Sequence, residues 1–307
     1  MTRQALVIGC GGTIGGAWAV AALSALCAET GCQPKDFDVL QGTSAGAEIV
    51  TVLGGGATVD DLVAMHSGTA TDARLREHLA DTPASLPPIP GLRLLNPRLV
   101  RSQTGLAALT GIAPTGRGDS GWLQRLADGF AEGTWLPHRG ARMVAFDVDR
   151  GERVVFGSPG APPAGVGEAL RASWAIPGWM PPVTIGGRRY VDGGARSTAS
   201  VDLVGDADVV YVIAPMAAQP GERAPGLGGL IENYFLRQPM SRTLRDEVAV
   251  VRSRDTAVVT VTPDSRDLAG LGAHFMDRQH RRAAFESAMT TAPDTVRRAL
   301  ATTGVRS

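Results

Sequence analysis

Short apolar runs rich in valine and isoleucine, with no polar alternation, recur at residues 5–9, 37–40, 142–146, 208–213 and 257–261. A strand that shows water on one face alternates in polarity, so uninterrupted runs predict strands covered on both sides. Between them apolar positions return every three to four residues, which predicts helices over 16–28, 47–53, 58–67, 121–131, 165–174, 228–251 and 281–301. Residues 153–156, and the pair 183–185 and 188–191 joined across Gly186-Gly187, predict added strands, the pair a hairpin. The alternation of the two patterns predicts an α/β fold of three layers, α/β/α, around a mostly parallel central sheet.

From 82 to 118 the periodicity fails, and Pro83, Pro87, Pro88, Pro90, Pro97 and Pro114 stand among leucines such as Leu92, Leu94 and Leu95. Proline withholds a backbone donor and stops both helix and ladder, so this stretch reads as an irregular insertion over the sheet edge. It is either a lid or wall beside a site or a surface insertion packed by its own leucines. No internal repeat is visible, and the 307 residues are expected to form one domain, 1–307, with this insertion near 82–118.

Hydrophobic residues make up 44% of the chain and charged residues 20%, the balance of a globular protein. The formal net charge of +0 supplies no field toward nucleic acid, so no nucleic-acid partner is expected. Cys10, Cys27 and Cys32 form neither an even disulfide set nor a metal-ligand spacing with histidine. No disulfide and no metal is therefore expected, and a reducing cytoplasm is the expected compartment. Arg3 and the apolar run up to Cys10 outline a lipoprotein leader, but only residues 5–8 are continuously apolar, where a secretory core needs roughly 7 to 15. The start is expected to be a buried strand, and the apolar stretch 17–26 falls short of the ~20 residues that span a bilayer.

Three motifs carry candidate chemistry. Gly42-Thr43-Ser44-Ala45-Gly46 follows a predicted strand and precedes a predicted helix. In that context Gly42 and Gly46 let the chain turn so tightly that Ser44 projects as an exposed nucleophile; with 39 glycines in the chain, the string alone decides little. Gly9-Cys10-Gly11-Gly12-Thr13-Ile14-Gly15-Gly16 follows the first strand and opens the first helix, leaving bare amides that point at any negative charge. With Ser44 as candidate nucleophile an oxyanion hole is favoured over a dinucleotide site, whose fingerprint starting at Gly9 would need glycine at its sixth place, which is Ile14; Gly11, Gly12 and Thr13 carry the bare amides. Finally, Tyr190-Val191-Asp192-Gly193-Gly194 ends the hairpin, and Gly193 and Gly194 clear space for the Asp192 carboxylate to approach another group. Taken alone, Asp192 reads as a turn cap.

In this order the three motifs resemble the patatin-like phospholipase family, and the match runs over most of the chain. Residues 11–18 resemble the family's first loop, and Ala172-Ser173-Trp174-Ala175-Ile176-Pro177-Gly178 the segment leading to the base, in which Ser173 and Pro177 shape the site. Ile14 stands where many members carry Arg or Lys, and Cys10 where a glycine is often found. The resemblance implies a patatin-like fold and a serine esterase of phospholipase A type. Ser44 and Asp192 would form a dyad working through an acyl-serine intermediate without cofactor. The implied substrate is a lipid or lysolipid acyl ester, met by a cytoplasmic protein in peripheral contact with a membrane. Oligomeric state is left open.

Rival readings rest on other residues. An α/β-hydrolase triad would add His274 or His280, both in a polar stretch that reads as a solvated helix start. A non-catalytic lipid- or dinucleotide-binding module would leave Ser44 idle. Gly118-Asp119-Ser120-Gly121 imitates a protease motif, yet Ser120 is expected to cap the helix that follows. Trp122, Trp135, Trp174 and Trp179 are expected in the core.

Overall fold

The computed structural model describes residues 2–81, 85–272 and 274–303, so Thr82, Pro83 and Ala84 of the insertion lie outside the described residues. Among the described residues eight strands form one sheet: β1 (Gln4–Ile8), β2 (Val39–Thr43), β3 (Ala141–Asp147), β4 (Glu152–Phe156), β5 (Val183–Ile185), β6 (Arg188–Asp192), β7 (Val209–Ile213) and β8 (Ala257–Val261). Five of them run parallel in the order β3-β2-β1-β7-β8, while β4, β5 and β6 are antiparallel additions. The predicted fold class is the observed one: a mostly parallel sheet covered by helices on both faces.

Helices connect the strands as α1 (Gly12–Thr30), α2 (Ala45–Gly54), α3 (Val59–Ser67), α4 (Ala73–Ala80), α5 (Leu99–Ser102), α6 (Gly105–Ile112) and α7 (Gly121–Phe130). After β4 come α8 (Val166–Ser173), α9 (Gly226–Glu232), α10 (Gln238–Arg252), α11 (Ser265–Leu271) and α12 (Arg281–Thr303). β1 shows why both faces are covered. Leu6 and Ile8 join the cluster of α1, α2 and α12, while Ala5 and Val7 join Leu244, Val248 and Val251 of α10 on the other side. Each such leucine, isoleucine or valine taken fully from water contributes about 1.5–3 kcal/mol. α1 is apolar all round and buried along most of its length, the signature of a core helix; it outruns the apolar stretch 17–26 and by length and composition alone could cross a membrane.

The reversal of strand order at β1 places the loop after β1 at the switch point of the sheet, where α/β folds open a crevice. Three local expectations change. The helix over 228–251 is two helices joined by a π turn, Asn233–Arg237; Pro239 has no amide to give the ladder there, and Arg237 turns inward instead. The insertion is partly helical, containing α5 and α6. Ser120 occupies the cap position of α7, but with ψ near 11° its hydroxyl makes no capping bond, and Asp119 Oδ1 takes the Gly121 amide at 2.8 Å.

Candidate active site

Ser44 ends β2 and begins α2 with φ 56° and ψ −119°, a backbone conformation that L-residues avoid. Its two glycines are there for want of space: a Cβ on Gly42 would stand 2.3 Å from the Gly46 carbonyl oxygen, and one on Gly46 would stand 1.9 Å from that of Ile8. The strained turn is tied down from a distant helix. The Ser44 amide donates to Ser173 Oγ at 2.9 Å, and the Ser173 hydroxyl donates to the Val144 carbonyl at 2.7 Å.

Pairing registers bring Asp192 to the same place. β4 occupies one edge of β3 from Met143 to Asp147, so β2 and β6 must share the other. Along it β2 ends with Thr43 opposite Val144, and β6, running the opposite way, ends with Asp192 opposite Ala145. The two strand ends face each other on neighbouring residues of β3. Asp192 Oδ1 accepts the Gly194 amide at 2.7 Å, and the Ser44 hydroxyl is a side-chain hydrogen-bond partner of the same carboxyl. Burial pushes the Asp192 pKa up to about 7, against the smaller opposing pulls of the Ser44 and Gly194 hydrogen bonds. Gly193 fits under the Val144 carbonyl, and a Cβ on Gly194 would stand 3.0 Å from both Asp192 Oδ1 and Cys10 Sγ.

The glycine loop is held at both ends. Gly9 donates to Ile213 and Cys10 to Thr198, each at 2.8 Å, while Ile14 donates to Phe275 at 3.0 Å. Gly12, at φ 58°, lies so close to Phe275 that a Cβ would meet its ring at 2.6 Å. Among the described residues nothing accepts from the amides of Gly11, Gly12 and Thr13. Gly11 and Gly12 line a cleft of about 270 Å³ with Ser44, Asp192 and Gly194. Thr13 is not among the residues lining this cleft; with Gly12 it lines a small cavity of about 20 Å³ beside Glu48, His66 and His78. The cleft walls are apolar: Leu106 and Leu109 from α6, Leu236 from the π turn, Met240 from α10, and Ile176 with Phe275.

The family model described as patatin-like phospholipase matches residues 6–204, about two thirds of the chain, and spans all three motifs. The chain belongs to the patatin-like phospholipase family. Members of this family are lipid acyl hydrolases, and the sheet and its flanking helices have the family's fold. Among solved structures, VipD from Legionella pneumophila is similar at 13% identity with a TM-score of 0.43, the likeness covering 96% of this chain and 67% of that one. No curated protein matches the chain.

Against this family frame, the remaining candidates fall away from the cleft. His280 is bonded to the Gly270 carbonyl at 2.8 Å, His274 Nδ1 accepts the Met276 amide at 3.3 Å, and neither lines the cleft. Cys10 does line it, but burial and then the Asp192 charge push its thiol up to about 12, so it carries no nucleophilic thiolate at neutral pH. Ile14 is buried in the core, and Trp122 and Trp174 pack edge to face there at 5.2 Å. Trp179 and Trp135 are only partly buried against the core. Sequence reasoning missed Thr198, which holds Cys10, and Phe275, which closes the glycine loop from more than 250 residues away. Neither stands in a motif, and no local signal marks them.

Proposed function

We propose that this chain hydrolyses lipid or lysolipid acyl esters with Ser44 as nucleophile and Asp192 as the group that takes and returns its proton. The observation that carries the reading is the end-to-end meeting of β2 and β6, which sets a strained serine against a buried carboxyl in an apolar cleft edged by free amides. Ser44 Oγ attacks the ester carbonyl carbon while its proton passes to Asp192. The carbonyl electron pair moves onto oxygen, where the Gly11 and Gly12 amides meet it; each donor in such a hole is worth about 10²–10³ in turnover. Collapse expels the alcohol, which leaves with the proton from Asp192. Water then attacks the acyl-Ser44 ester by the same route, with Asp192 again accepting the proton, and fatty acid is released.

A carboxyl titrating near 7 suits this double duty, since it is basic enough to accept the serine proton and acidic enough to return it at neutral pH. The chemistry needs only groups of the chain itself. Three unpaired cysteines fit a reducing compartment, and our reading places the protein in the cytoplasm. A fluorophosphonate probe followed by peptide mapping tests the assignment: label is expected on Ser44 and is expected to be lost in Asp192→Ala. Label on any other residue, or on none, would overturn it.

A further inference from the structure

The segment from Gly226 to Arg237 has its polarity turned inside out. Leu227, Leu230, Ile231 and Tyr234 recur at helical spacing with exposures of 79%, 44%, 59% and 66%, and Phe235 beside them is 62% exposed. The charged residues of the same segment face inward. Glu232 and Arg237 are 8% and 2% exposed and pair at 2.7 Å, and Arg237 also donates to the Pro215 carbonyl at 2.7 Å. A helix of a globular protein turns its apolar stripe to the core, so this stripe faces a partner that is itself apolar.

A second segment frames the same cleft. Residues 85–118 contain four arginines, Arg93, Arg98, Arg101 and Arg117, and no Asp or Glu. All four arginines are exposed, and among the described residues none is within ion-pair distance of a carboxylate. Leu86, Ile89 and Leu92 of this segment are 71% to 101% exposed. Both segments continue into the cleft walls, since Leu109 is at once 59% exposed and a wall residue, and Leu236 follows Phe235 directly. Exposed aliphatic and aromatic side chains mixed with unpaired arginines match the boundary between acyl chains and anionic headgroups.

We propose that the face formed by Gly226–Arg237 and residues 85–118 docks on an anionic lipid surface and presents the cleft mouth to it. The inference rests on the hydrolase reading for its biological sense and extends it to the physical form of the substrate: acyl chains enter from the bilayer between α6 and the π turn.

The test uses Ser44→Ala protein, which cannot consume the lipid, sedimented with vesicles of phosphatidylcholine alone or with a third phosphatidylglycerol. Binding is expected on the anionic vesicles and expected to weaken with salt. Changing Tyr234 and Phe235 together to Ser, or Arg98 and Arg101 together to Gln, should lower partitioning by roughly tenfold or more. In the Ser44 background of the wild type, the same changes should leave hydrolysis of a soluble short-chain ester within about twofold, which also shows that the variants fold. The surface is refuted if parent protein ignores anionic vesicles or the variants bind like the parent. It is equally refuted if light scattering finds a dimer that the Tyr234/Phe235 variant dissociates. Vesicle binding without ester hydrolysis would instead count against the dyad and leave the docking face standing.

Discussion

At residue 44 the backbone is held where only surrounding contacts can keep it. The strain at φ 56° is offset in part by the Ser173 hydroxyl, which accepts a hydrogen bond from the Ser44 amide and donates its own to the Val144 carbonyl. Replacing Ser173 with Ala leaves that amide buried without an acceptor, at about 1–3 kcal/mol. The expected result is a fall in kcat of about tenfold or more with KM little changed, because Ser173 orients the proposed nucleophile, Ser44, without touching substrate. Steady-state kinetics on a soluble ester measures it. Asp192 gives a second expectation. In the proposed mechanism it is the ionised carboxylate that acts; with its carboxyl near 7, Asp192 is protonated below that pH and ionised above it, so kcat/KM should rise through about pH 7 and level off above it. An activity profile flat from pH 5 to 9 would exclude Asp192 as the base.

Elements decide how these residues meet, and here sequence reading had uneven reach. Strands buried on both faces announced themselves through unbroken valine and isoleucine, and β8 was legible to the residue, as 257–261. The hairpin was legible because Gly186 and Gly187 both take positive φ, at 56° and 77°, as its two-residue turn demands. What stayed hidden was set by contacts distant in sequence. α4 and α11 were missed, each a single short amphipathic stretch without a sustained period. The π turn was missed because, beyond the amide that Pro239 lacks, nothing in the segment's own periodicity shows the pairing with Glu232 and the Pro215 and Ala217 carbonyls that hold Arg237 inward. That turn yields its own expectation: Arg237→Met should strand Glu232 in the interior and cost about 3–5 kcal/mol in urea unfolding. Adding Glu232→Leu should recover part of the loss, but not the share that comes from the orphaned Pro215 and Ala217 carbonyls.

Over the whole molecule, two buried titratable groups pull stability in opposite directions with pH. Asp192 has a folded pKa of about 7 against an ordinary 3.8. The folded state therefore holds more protons between those values, and the contribution is present at acid pH and lost as pH rises through them, by about 4 kcal/mol in all. His66 runs the other way, since burial, then Arg281 and His78, lower it from 6.5 to about 3; its contribution is lost as pH falls across that range. Asp192→Asn should thus raise Tm clearly at pH 8 and little at pH 4, while abolishing hydrolysis. His66→Leu should reduce the loss of Tm on acidification. Calorimetry across pH 4 to 8 checks both. The motifs made Ser44 and Asp192 readable from the chain, but not this conflict between the charge that the proposed mechanism requires and an interior that resists it.

β3 carries neither Ser44 nor Asp192, yet the edge that it shares between β2 and β6 fixes the gap between them. Connecting stretches can therefore be lengthened, shortened or exchanged without retuning that gap, as long as the ruler strand is preserved. For engineering, this recommends exchanging the cleft wall within residues 85–118 and leaving Ala141–Asp147 untouched.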